Sequence, residues 1–112
     1  MSTLFKQIID GLLPAEKVFE NERILAIKDI HPAAPVHFLI MPKKEIPNLQ
    51  ALQAHDMGLL TEMVTVAQKL AVEHGIEEGY RLLVNNGRQA GQTIFHLHFH
   101  LIGGKTLGSV YE

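Results

Sequence analysis

Residues 95–104 read FHLHFHLIGG, and His96, His98 and His100 stand at every second position. The chain has seven histidines in all, so nearly half of them lie within five residues. Side chains alternate faces along a strand with a period of two. A strand over TIFHLHFHLI therefore places the three histidines on one face and Phe95, Leu97, Phe99 and Leu101 on the other. Its aromatic and branched composition suits a strand, and Gly103-Gly104 ends it. One face is then core and the other a row of imidazoles.

Working outward, the rest of the chain supplies a small α+β frame. Leu4, Phe5, Ile8 and Ile9 fall at helical spacing, with Ser2 or Thr3 as cap and Gly11 as stop, which predicts a short first helix. KVFENERILAIKDI reads as two strands about Glu20-Asn21-Glu22, HPAAP as a proline-bounded turn and VHFLIMP as an apolar strand. Pro42 and Pro47 bracket a loop carrying Lys43 and Lys44. From Ala51 to His74 the pattern is helical, with Met57, Leu60, Val64, Ala67 and Ala71 on one stripe and Gly75 at the end. YRLLVNN is a fourth strand, GRQAGQ a loop, and the histidine segment the fifth strand. Two helices and a mainly antiparallel sheet in one domain, residues 1–112, is the expected fold.

Composition narrows the function classes. Hydrophobic residues make up 46% of the chain and the formal net charge is −2, without a basic stripe, which argues against nucleic acid as the partner. There is no cysteine, so disulfides, thiolate nucleophiles and cysteine-bound zinc are excluded. No apolar run nears the roughly 20 residues of a membrane span. MSTLFKQIIDG lacks the basic start and apolar core of a signal peptide. The expectation is a soluble, cytoplasmic protein.

Three readings fit the histidine row. The histidines decorate a sheet face, or they bind a metal, or they handle an anion. For a metal, His-x-His on a strand is a common pair. His96 and His100 are, however, about 13 Å apart on an extended strand, too far for one ion to take all three. His37 is the candidate for a third ligand. Carboxylates, the usual helpers, are absent between Glu78 and Glu112, where Arg81, Arg88 and Lys105 are the only formal charges. For an anion, the locally positive strand and the glycine-containing loop before it suit a phosphate. The middle histidine is then the nucleophile, and its neighbours donate hydrogen bonds or move a proton. Imidazolium rings supply positive charge, so no cofactor or metal is needed.

His96-Leu97-His98-Phe99-His100-Leu101-Ile102 resembles the His-φ-His-φ-His-φ-φ signature of the histidine triad (HIT) superfamily, φ being apolar. FKQIIDGLLPA, AIKDIHPAAPVHFLIMPKK and YRLLVNNGRQAGQTIFHLHFHLIGG are similar to the histidine triad nucleotide-binding (Hint) branch, and follow in its order. The Gly103-Gly104 pair after the triad is typical of that branch; the diadenosine polyphosphate hydrolase branch continues differently.

The resemblance implies a homodimer whose two five-stranded antiparallel sheets join into one. It implies a purine nucleoside phosphoramidase, which splits the P–N bond to give a nucleoside monophosphate and an amine. In that case His98 is the nucleophile that becomes nucleotidylated, His100 contacts the α-phosphate, and His96 orients the site. His37 hydrogen-bonds within the cluster, and Asp29 holds the ribose hydroxyls. Ile30, Phe5, Ile8 and Leu13 form the apolar base pocket. Asn85, Gly91 and Thr93 contact phosphate or leaving group, and Gln92 beside them is a further nucleotide-binding position. His31, His55 and His74 are left to the surface. Departures from the pattern bear on the amine: Thr93 stands where many relatives have serine, Glu45 where animal relatives often have histidine, and the short tail KTLGSVYE resembles bacterial members. A non-catalytic nucleotide-binding module, a dinucleoside polyphosphate hydrolase and a metalloprotein on His96, His98 and His37 remain the alternatives.

Overall fold

The computed structural model describes residues 2–110; Met1 and the last two residues of the tail lie outside that range. The first helix, α1 (Leu4–Ile9), starts where the Thr3 hydroxyl accepts the Lys6 N–H at 3.1 Å. It stops at Gly11, whose φ of 78° most side chains resist. Five strands follow: β1 (Lys17–Glu20), β2 (Ile24–Lys28), β3 (Val36–Pro42), β4 (Tyr80–Leu83) and β5 (Phe99–Gly103). They form one antiparallel sheet in the order β1-β2-β3-β5-β4.

Both faces of the sheet are covered. The second helix, α2 (Met57–Glu73), packs on one face against Ile24, Ala26, Phe38, Ile40, Phe99 and Leu101. On the other face, Phe5 and Ile8 of α1 pack on Leu25, Ile27, Leu39 and Met41. The alternating residues of β2 and β3 thus feed two cores. This is why ILAIK and VHFLIMP are apolar almost throughout rather than at every second position.

The fourth strand ends at Leu83 rather than Asn86, and the long helix and the histidine strand also depart from the sequence reading. The long helix begins at Met57, not Ala51, because short 3₁₀ turns at Leu49–Ala51 and Ala54–Asp56 precede it. There the Asn48 side chain takes the Ala51 N–H, and Asp56 takes the Gln53 N–H. The buried stripe of α2 is Met63, Val66, Ala67, Leu70 and Ala71. Ala67 and Ala71 lie where expected, whereas Met57 and Val64 are exposed, since the helix is apolar on more than one side. The histidine segment is a strand only from Phe99. Ahead of it, the Leu97 N–H goes to the Ile46 carbonyl at 2.7 Å and the His96 carbonyl goes to a side chain, so the ladder cannot extend. The alternation of faces nevertheless outlasts the strand: Leu97 lies in the α2-side core with Phe99 and Leu101, while His98 and His100 face the other way.

Gly103 and Gly104 are packing requirements. A Cβ on Gly103 would come within 2.8 Å of Ile76 Cδ1 and 3.3 Å of the Gly79 carbonyl. Gly104 sits at φ 95°, and a Cβ there would come within 3.1 Å of Pro35.

Candidate active site

A cleft of about 550 Å³ opens on the α1 side of the sheet. The sheet register lays its floor. His100 of β5 pairs with Leu39 of β3, and Leu39 pairs with Ile27 of β2. These three side chains form a row across the strands, with about 10 Å from His100 to Ile27 at the usual strand spacing. Phe5 and Ile8 wall one side, and Asp29, Ile30 and His31 stand at the mouth. Asn85, Gly91, Thr93 and His98 enclose the histidine end.

The hydrogen bonds fix the ring tautomers, because carbonyls only accept and backbone N–H groups only donate. His98 Nδ1 lies 2.7 Å from its neighbour's carbonyl, that of His96, so Nδ1 carries the proton and Nε2 keeps its lone pair. His96 Nε2 donates to the Pro42 carbonyl at 2.7 Å, and this ring is only 1% exposed. His37 Nδ1 accepts the Ala33 N–H at 3.0 Å, which leaves the proton on Nε2. That proton is donated to His100 Nδ1 at 2.9 Å, so the second nitrogen of His100, Nε2, bears an N–H. The cluster thus offers the cleft an imidazole lone pair, on His98, beside an N–H donor, on His100. The His98 and His100 ring centres are 5.1 Å apart, and Phe5 stands edge-on to His98 at 4.9 Å.

Burial lowers the pKa of all four rings. For His98 desolvation outweighs the hydrogen bond to the His96 carbonyl, and for His37 it outweighs the favourable pull of Asp29. For His96 it outweighs the Pro42 carbonyl. His100 is brought down to about 4 by burial, then by the nearness of His98 and His37. The rings are therefore neutral near pH 7. In place of the expected imidazolium charge, the lowered pKa values make the donors N–H groups of neutral rings.

The other expected site residues fall as follows. Asp29 Oδ1 accepts the His31 N–H at 2.8 Å, and its Oδ2 lies 3.4 Å from His37 Nε2. Phe5 and Ile8 belong to the core and to the cleft wall at once. Ile30 is 83% exposed at the mouth. Leu13, expected in the base pocket, is exposed beyond the Gly11 stop, and Pro14 and Ala15 take that place in the wall. Gln92 is 4% exposed and its amide ties its own loop to the loop carrying Pro47. It accepts from Gly87 N–H and donates to the Pro47 and Ile94 carbonyls, so its side chain holds the Gly87–Gly91 turn in place. The floor residues Ile27 and Leu39 and the partners Ala33 and Pro42 went unnoticed in the sequence. The first two were findable from strand register, the last two were not, since they act through backbone atoms.

Asp29, His37 and His100 bring one ligand atom each to within 4.8 Å of one another, a spacing a metal could use. The His37 nitrogens oppose it. Nδ1 is held as an acceptor by Ala33, so ligation through Nε2 would demand an imidazolate or the loss of that bond. Among the described residues, the trio His96, His98 and His37 is not brought close enough to share one ion.

This geometry has close counterparts. The family model for the HIT domain matches residues 11–107. The chain belongs to the HIT family. It is 56% identical over 108 residues to a HIT-like protein of Chlamydia pneumoniae, covering 96% of this chain and 98% of that one. A HIT family hydrolase from Clostridium thermocellum superposes with a TM-score of 0.94 at 45% identity, over 99% of this chain and 97% of that one. A histidine triad nucleotide-binding protein from Candida albicans superposes with a TM-score of 0.82 at 30% identity, over 99% and 87% of the two chains.

Proposed function

We propose that this HIT protein hydrolyses purine nucleoside 5′-phosphoramidates. The observation that carries the reading is the pairing of a bare His98 Nε2 with the His100 N–H at one end of an elongated apolar cleft. A phosphoryl group at that end meets a nucleophile and a donor together. About 10 Å of floor beyond it gives room for a nucleoside. Phe5, Ile8 and Ile30 offer apolar surface to a base, and Asp29 offers a carboxylate to paired sugar hydroxyls.

In the mechanism, His98 Nε2 attacks phosphorus and a P–N bond to the ring forms. The scissile P–N bond breaks; the amine leaves with its electron pair and takes a proton from solvent, which the second step returns. Water then attacks the nucleotidyl-histidine, adding hydroxyl to phosphorus and giving its proton to solvent, and His98 regains its lone pair. The bond from Nδ1 to the His96 carbonyl stabilises the ring as it gains charge. The His100 N–H bonds a phosphoryl oxygen. His96 holds the backbone turn that aims His98. Asn85, Gly91 and Thr93 surround the phosphate and leaving group, with Gln92 supporting their loop.

We read the assembly as a homodimer joined along β4. Of the two edge strands, β1 carries Lys17 and Glu20 and a register shift between Lys17 and Phe19, features that blunt an edge. β4 pairs regularly with β5 over Tyr80–Leu83 and leaves its other side free to join a second sheet.

The test is hydrolysis of adenosine 5′-phosphoramidate by wild type and His98→Ala, each with and without EDTA. EDTA-resistant turnover that falls by on the order of 10³-fold or more in the variant is expected. Nucleotide binding without turnover in wild type would favour a binding module. Cleavage of a dinucleoside polyphosphate alone would favour that substrate class, and loss to EDTA alone a metal site.

A further inference from the structure

The His37 Nε2–H donates to His100 Nδ1, and the Asp29 carboxylate lies beside the same nitrogen as an electrostatic neighbour rather than a hydrogen-bond partner. His100 Nδ1 is at 2.9 Å and Asp29 Oδ2 is at 3.4 Å. Because His37 Nδ1 is occupied by the Ala33 N–H, the Nε2 proton is the ring's one N–H, and the carboxylate charge pulls on it from beside the bond to His100. Asp29 is half-buried, and its other oxygen is engaged by the His31 N–H, so the free side of the carboxylate is the one that His37 and a cleft ligand share. We infer that Asp29 couples sugar recognition to the aim of the triad: a ribose whose hydroxyls bond this carboxylate weakens its electrostatic pull on the His37 N–H and leaves that proton to His100. No covalent bond changes. The hydrogen bond to His100 Nδ1 tightens, which holds the His100 ring with its Nε2–H toward the phosphoryl group. A sugar lacking a hydroxyl leaves the carboxylate charge pulling on His37.

Asp29 and His37 are thereby positioning residues, acting on the phosphoryl end through His100, and the substrate class narrows to ribonucleotides by rate as well as by affinity. This rests on the phosphoramidate reading. The experiment compares adenosine and 2′-deoxyadenosine 5′-phosphoramidates at saturation, in wild type and in His37→Ala. A kcat about tenfold lower for the deoxy substrate in wild type is expected, the worth of one charge-assisted hydrogen bond. In His37→Ala the two kcat values converge, while the KM difference persists. Equal kcat values in wild type, or an undiminished ratio in the variant, would overturn the coupling and leave the hydrolase reading standing. Should His37→Ala fail to fold, ring ¹⁵N spectra of wild type with adenosine and 2′-deoxyadenosine monophosphates decide: His37 and His100 signals that differ between the two support the coupling, and identical ones refute it. If neither phosphoramidate is turned over and neither nucleotide binds, the hydrolase reading falls and this inference with it.

Discussion

His96 is buried to 1% and spends its only N–H on the Pro42 carbonyl, so its role is to fix the turn that presents His98. His96→Ala removes a packed ring and leaves that carbonyl without its partner. A stability loss of about 3 kcal/mol is expected from the cavity and the unmet acceptor. Urea unfolding of the variant against wild type checks it; an unchanged midpoint would make the ring dispensable. The neutral cluster sets a pH dependence. An unfolded histidine takes its proton near pH 6.5, whereas folded His100 waits until about pH 4. Between those values the unfolded chain binds more protons, so stability falls as pH drops from about 6.5 toward 4 and is level above that window. Thermal melts from pH 8 to 4 should show this slope, and it should diminish in His100→Asn. At this scale the histidine spacing was legible in the sequence, because alternation is a local property. The tautomers were not: they depend on Ala33 N–H and on the His96 and Pro42 carbonyls, which every residue type carries alike.

β5 is where element and site meet. Its start at Phe99 frees the two preceding histidines from the ladder, and its end at Gly103 lies against Ile76 and Gly79. Gly103→Ala forces a methyl group to within 2.8 Å of Ile76 Cδ1, and a loss of about 1–3 kcal/mol is expected from overpacking. Pairing it with Ile76→Val tests the cause, since relief at Cδ1 should recover part of the loss; no recovery would place the cost in the backbone. The strands, the short helix and the turn residues could be read from periodicity and glycine placement. The start of α2 could not, because Ala51 to Asp56 is apolar enough for a helix. Its 3₁₀ turns come from two side chains, Asn48 and Asp56, that capture backbone N–H groups. The buried stripe of α2 was misjudged for a related reason: Met57, Leu60 and Val64 also lie at helical spacing, and only the sheet beneath decides which side is covered.

At the scale of the whole molecule, the free β4 edge predicts that the protein sediments with twice the mass of one chain at micromolar concentration. A single-chain mass there would remove the joined sheet. Among the described residues, no helix is long and apolar enough to cross a membrane. The family and its fold were legible across nearly the entire sequence, since FKQIIDG, IKDIHPAAPVHF and HLHFHLIGG keep their order. Which strands form the sheet edges was not, because an edge strand reads much like a paired one. The measurement that tests the central claim most directly is rapid acid-free quenching of wild-type protein turning over adenosine 5′-phosphoramidate, followed by intact-mass and peptide mass spectrometry. One nucleotidyl group on His98, formed and lost within the turnover time, is the predicted result. Turnover with an unmodified His98, or with the adduct on His96 or His100, would contradict the account.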